Sequence, residues 1–128
     1  MSSLPVDPPP RTLGEALALR ADLLAGYRAL EAALAAEPTL GPGLRAGVRA
    51  RLETLLGFGD GGAGGTMPEV VDEFVEQFVL DAHGVGDDLV ARLGAVLSPR
   101  GVVALAQAIA VWEGQLRLAR WLEVRPEL

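Results

Sequence analysis

The side chains best suited to chemistry crowd the last predicted helix, where Trp112, Glu113, Gln115, Arg117 and Trp121 interrupt a run otherwise rich in Ala, Val and Leu. Glu113 and Arg117 stand four apart, in the order that favours an ion pair on a helix. On a buried face this pair orients a polar ligand, with Glu113 exchanging a proton and Arg117 holding a carboxylate by a forked contact. On an outer face it is a surface or inter-subunit salt bridge. Gln107 and Arg100 are further polar contributors nearby. His83, the one histidine, is the only side chain whose ordinary charge change falls near neutral pH, which makes it the obvious proton carrier. Its competing role is structural, a helix C-terminal histidine set against the late carbonyls before Gly84. Glu73 and Glu76 can share a helix face, as solvated carboxylates or as catalytic ones. Tyr27, the single tyrosine, is either a core residue with its hydroxyl at the edge or a donor to a ligand oxygen. The candidate catalytic groups are therefore Glu113, Arg117 and His83, and the candidate substrate contacts are Trp112, Tyr27 and Trp121.

Composition removes several chemistries. The chain has no cysteine, which excludes a disulfide framework, a thiolate nucleophile and a sulfur-ligated zinc site. With a single histidine, any metal site would have to be carboxylate-rich, and no metal or cofactor is expected. All eleven basic side chains are arginine, so Schiff-base chemistry and a lysine base are also absent. A net charge of −6 opposes the phosphate neutralisation on which nucleic-acid binding depends. No run approaches the roughly 20 apolar residues that span a bilayer, and the first ten residues lack signal-peptide character. The expectation is a cytoplasmic protein that engages neither nucleic acid nor membrane.

These groups have to be positioned by helices. The 128 residues, half of them hydrophobic, suffice for one domain with a real core. Residues 1–11, rich in proline, read as a flexible arm, and 12–128 as a single all-helical domain. Thr12 and Glu15 have capping-box spacing ahead of a short helix carrying Leu13 and Leu17. Asp22 is placed to cap a second helix whose face is Leu23, Tyr27, Leu30 and Leu34, with Leu24 and Glu31 beside it. After a turn at Pro38–Gly43, a third helix runs from about Leu44 to Leu56. Its apolar stripe is Leu44, Val48, Leu52 and Leu55, with Arg45, Arg49 and Glu53 flanking, and Gly57 ends it. A Gly-rich loop over 57–66 reads as a mobile connection from Phe58 onward, a lid or linker without the GxGxxG or lysine of a phosphate loop. Thr66 and Glu69 repeat the capping-box spacing before a helix with the broad face Val70, Val71, Phe74, Val75, Phe78 and Val79. A shorter helix from Asp87 and Asp88 turns Leu89, Val90, Leu93, Val96 and Leu97 inward. Ser98–Pro99 then opens a long one through about Leu122. No segment alternates with period two for long, so the fold class is all-α, a compact bundle of five or six helices.

The lead-in from Leu44 to Gly57 and the order Phe74–Leu89, Leu97–Ser98 and Ala108–Ala110 resemble the carboxymuconolactone decarboxylase and alkylhydroperoxidase D family, particularly its actinobacterial members. On that pattern Ala46 stands at a glutamate position, Phe58 and Gly61 at the two cysteines, and Gly65 at the histidine. Glu113 replaces a usual asparagine, and Arg117 matches a commonly basic site. The Gly57–Pro68 connection is also short for the family, so the cysteine-bearing helix is shortened or lost. The resemblance implies an all-helical fold and a homo-oligomer, trimeric or hexameric. It does not extend to thiol peroxidase activity, since neither Phe58 nor Gly61 replaces a thiolate.

Two functions fit this reading. In the first, a non-redox, cofactor-free enzyme of lyase, isomerase or cyclase type holds a small organic substrate between helices. In the second, a catalytically inactive relative acts as an oligomeric or partner-binding protein.

Overall fold

The computed structural model describes residues 4–59 and 67–128. All regular structure there is helical, and the one extended contact is an isolated parallel bridge between Thr12 and Arg125. Four helices are twelve residues or longer: α2 (Ala21–Ala36), α3 (Pro42–Leu55), α4 (Glu69–Leu80) and α5 (Asp87–Leu122), preceded by the five-residue α1 (Leu13–Leu17). The four are fewer than the five or six helices expected, since the two segments that meet at Ser98 run on as a single kinked element.

The Ser98–Pro99 signal nevertheless acts locally as anticipated. Ser98 leaves helical geometry at φ 66°, ψ 163°, and its Oγ accepts the Gly101 N–H at 3.3 Å. α5 is therefore two helical arms that meet at a capped break. A correction concerns its composition: an 18-residue window of α5 reaches a mean hydropathy of 1.5, so one stretch does have the length and apolarity of a membrane span. Only 22% of that window is buried inside the chain, although Leu93, Leu105, Ile109 and Leu116 of α5 are themselves fully buried against the rest of it.

Helix starts follow their capping chemistry, with small departures. Thr12 Oγ1 accepts the Glu15 N–H at 3.1 Å, while the Glu15 carboxylate reaches back to the Arg11 N–H at 2.6 Å. Asp22 is not a cap: α2 begins at Ala21, and Asp22 sits in its first turn, paired with Arg20 at 3.0 Å. α3 begins at Pro42, two residues before the expected start, since a proline loses no hydrogen bond in the first helical turn. α4 begins at Glu69 behind Pro68; Thr66, and with it the proposed capping box, lies outside the described residues, as does the Gly-rich segment 60–66.

At the end of α3 the Gly57 N–H reaches the Thr54 carbonyl at 3.3 Å and the Phe58 N–H reaches the Glu53 carbonyl at 2.6 Å. With Gly57 at φ 85°, these two bonds make a Schellman close. Phe58 is not part of a loose connection: its ring packs between the two hydrophobic clusters of the chain.

The larger cluster joins α3, α4 and α5 through Val48, Leu52, Val71, Phe74, Val75, Leu93, Leu105, Ile109 and Leu116. The smaller joins α1 to the end of α5 through Leu13, Ala16, Leu17, Ala119, Leu122 and Val124. It is tied by the segment after α5, whose Arg125 and Glu127 carbonyls accept the Leu13 and Gly14 N–H groups at 2.8 and 3.0 Å. Those donors open α1 and have no partner within it.

α2 departs most from its expected role. Leu34 is its one buried residue and Tyr27 is half-covered, while Leu23 and Leu30 remain 46% and 41% exposed. Val90 and Val96, expected to face inward, are exposed as well, as is Val103 at 70%. An apolar repeat indicates that a face is coverable; this chain alone does not cover these positions.

Ion pairs brace the bundle from outside. Arg92 makes a forked contact with Glu73, both bonds 3.0 Å, and also holds Asp88. Arg100 holds Glu37 at 3.0 Å. The Arg92 hydrogen bonds keep the Glu73 carboxyl below its usual value of 4.5, and Arg100, aided by Thr39, does the same for Glu37. A depressed folded-state value means the unfolded chain binds more protons, so these contributions are present above the ordinary glutamate range and vanish as pH falls through the lowered values. Urea midpoints are expected to drop on acidification through this range, by a modest amount because both pairs are solvent-screened. The Arg92→Gln variant should show a shallower drop; an unchanged pH profile in that variant would remove the assignment.

Candidate functional site

A polar cleft lies between α2, α3, the second arm of α5 and residues 126–128. It encloses about 500 Å³ and is lined by Arg28, Glu31, Pro42, Arg45, Ala46, Arg49, Trp112, Gln115, Pro126, Glu127 and Leu128. Helical spacing brings these groups together. Arg45 and Arg49 are one turn apart on α3, Arg28 and Glu31 on α2, and Trp112 and Gln115 on α5.

Glu31, Arg45 and Arg49 are held in place. Trp112 is buried, and its indole Nε1–H donates to Glu31 Oε1 at 2.9 Å, pinning α2 to α5. Arg45 Nη1 donates to the carbonyls of Ala35 and Leu40 at 3.1 and 2.7 Å, closing the exit of α2. Arg49 is fixed from two sides: its Nε contacts Glu53 Oε1 at 3.2 Å, and its Nη1 donates to Gln115 Oε1, also at 3.2 Å.

Gln115 is the buried polar residue of the core, at 1% exposure. Its Oε1 is committed to Arg49, while its Nε2 is buried with no hydrogen-bond partner among the described residues. Turning the amide over would set N–H groups against the guanidinium, so Arg49 dictates the orientation. A buried donor left in this condition costs about 1–3 kcal/mol, and native proteins rarely retain one without a reason.

The sequence-predicted residues are spread over several places. Trp112 lines this cleft. Glu113 and Arg117 do form their ion pair, at 2.8 Å, but with Arg117 57% exposed on the outer side of α5. Arg117 and the largely exposed Trp121 border a second cleft with Leu55, Leu56, Gly57 and Arg120. The Arg120 guanidinium there is already engaged by the carbonyls of Gly57 and Leu56, at 3.1 and 3.4 Å. Tyr27 packs against the smaller hydrophobic cluster. His83 is exposed in the turn Ala82–Gly84 after α4, and lines neither cleft. Of the six candidates, the structure brings Arg117 and Trp121 to one cleft and Trp112 alone to the other.

Sequence reasoning places Glu31, Arg45 and Arg49 beside helix faces, names Gln115 in the last-helix cluster without a role, and passes over Arg28. Their signal was present: two arginines a turn apart on one helix, and a glutamine within an apolar stripe. What spacing could not supply was that the three helices converge.

No family model matches the chain, and no curated protein or solved structure does.

Proposed function

We propose that the protein binds a small organic molecule in the cleft between α2, α3 and α5. The observation that carries this reading is Gln115, a buried side-chain amide with an unpartnered N–H group beside a cleft walled by Trp112 and three arginines. A chain without cysteine has no thiol redox chemistry, and the non-redox step proposed here is in keeping with a divergent, helical relative of the carboxymuconolactone decarboxylase type. Ala46, which the resemblance aligns with a glutamate, lines this cleft and leaves the position without an acid. A cofactor-free lyase or isomerase step would therefore draw its proton transfer from Glu31, whose carboxylate is oriented by Trp112.

The test is native mass spectrometry of the full chain after incubation with a metabolite extract, compared with Ala46→Trp. That substitution fills the cleft from an exposed helix position and spares the core. A retained small molecule that the variant loses is the expected result. Failure of the parent protein to retain or be stabilised by any metabolite would sink the reading.

A second reading is favoured by the uncovered apolar residues of α2 and α5. Leu30, Ala33, Val103 and Ala104 line a groove whose rim is the Glu37–Arg100 pair. This face suits a homo-oligomer or another partner. The molar mass of the same sample by light scattering tests self-association, with Leu30→Glu expected to shift an oligomer toward the monomer.

A further inference from the structure

The second arm of α5 presents a face that no described residue covers. From Gly101 to Trp112 there is no charged side chain, and only 22% of the apolar window of α5 is buried. Along the outer side Arg100, Val103, Gln107, Ala110, Gly114 and Arg117 are all exposed, spaced alternately three and four apart. That alternation is the seam along which one helix lies against another. Resting on self-association as the use of this face, we infer that a second copy of the chain packs here, α5 against α5, antiparallel about a two-fold axis between Gln107 and Ala110.

The order of the side chains selects this register. Antiparallel pairing sets Val103 of each copy, 70% exposed in the single chain, over Gly114 of the other, and Gln107 beside Ala110. A Cβ added at Gly114 would meet open space, so packing within one copy does not demand the glycine, whereas a valine arriving from a second copy does. Parallel pairing would stack valine on valine and leave the two glycines facing a void. Leu30, 41% exposed, borders the groove that Val103 and Gln107 line, which widens the contact beyond one helix.

The charges fit as well. Each end of the seam carries an arginine already paired with a glutamate, Arg100 with Glu37 at 3.0 Å and Arg117 with Glu113 at 2.8 Å. The antiparallel register brings one such pair from each copy together, two charges of each sign, in a chain whose net charge of −6 makes copies repel elsewhere. A bilayer fits less well. The uncharged run between Arg100 and Glu113 rises about 18 Å, short of the ~20 residues a span requires. A helix lying on anionic lipid would offer unpaired cations, and these are paired.

Sedimentation equilibrium of the full chain at about 100 μM and about 1 μM is expected to show a dimer that dissociates on dilution, as a small interface does. Gly114→Trp fills the notch without touching the core; it should weaken dimerisation about tenfold or more and leave the helical circular dichroism unchanged. The register is read by introduced cysteines, since the chain has none of its own. A mixture of Val103→Cys and Gly114→Cys chains should oxidise to a linked heterodimer. Val103→Cys alone should stay unlinked, because the two copies of that residue would lie about 16 Å apart along the seam.

A dimer that survives Gly114→Trp, or that links Val103→Cys to itself as readily as the mixture links, would overturn this pairing and leave self-association standing. A chain that stays monomeric at about 100 μM overturns both. If that monomer also sediments with phosphatidylcholine–phosphatidylglycerol vesicles, the face belongs to a bilayer instead.

Discussion

Replacing Ile109 by alanine is expected to remove about 2–5 kcal/mol of stability, the range for truncating a large aliphatic side chain in a closed core. Ile109 is fully buried in the second arm of α5, in the cluster that joins this helix to α3 and α4. The loss combines the transfer free energy of the deleted carbons with the cavity left among neighbours tethered to three helices, which limits how far they can collapse. Urea denaturation followed by circular dichroism measures it. Val103→Ala on the same helix is the control: that side chain is mostly in solvent, and its removal should shift the midpoint by no more than about 0.5 kcal/mol. If the two variants were equally destabilised, the buried and exposed faces of α5 would have to be reassigned.

The second large effect is expected at Gly57. At φ 85° it occupies backbone space that a β-branched residue enters at a cost of about 1–2 kcal/mol or more. A Cβ there would also collide with the Arg120 guanidinium, the group that accompanies the Gly57 and Leu56 carbonyls at the end of α3. Gly57→Val therefore combines a backbone penalty with the loss of the α3–α5 tie, and its expected cost is about 2–3 kcal/mol. Gly57→Asn separates the two contributions, because asparagine tolerates the left-handed region yet still brings a Cβ against Arg120. Asparagine should recover most of the backbone portion and little of the other. Full recovery would make Arg120 an incidental neighbour, whereas a neutral Gly57→Val would contradict the Schellman close itself.

The placement of acids and bases bears directly on function. A pair such as Glu113 and Arg117 stabilises a helix wherever that face points, so its spacing carries no information about a pocket. Its ion pair is formed, with Arg117 turned outward. Gln115, two residues before Arg117, differs in kind: a buried amide has to settle both its oxygen and its nitrogen, and only the oxygen is settled here. Mutational work aimed at catalysis is better directed to Glu31, Arg49 and Gln115 than to His83, which stands in solvent beyond the end of α4.

What the sequence determined by itself is local. Thr12 before Leu13, Ser98 before Pro99 and Gly57 after Leu55 each fix a helix end, because capping and backbone preference act over a few residues. The 3.6-residue repeat of Val71, Phe74 and Val75 fixed a buried face on α4 for the same reason. The absence of cysteine settled the exclusion of thiol chemistry with no need of coordinates. Only the tertiary structure decided which apolar faces are covered. α2 has the same kind of repeat as α4, yet Leu23 and Leu30 remain exposed, since burial depends on what lies opposite and periodicity does not encode a neighbour. The cleft arose in the same way: Arg49 and Gln115 are 66 positions apart, and only the packing of α3 against α5 brings their side chains within hydrogen-bonding distance.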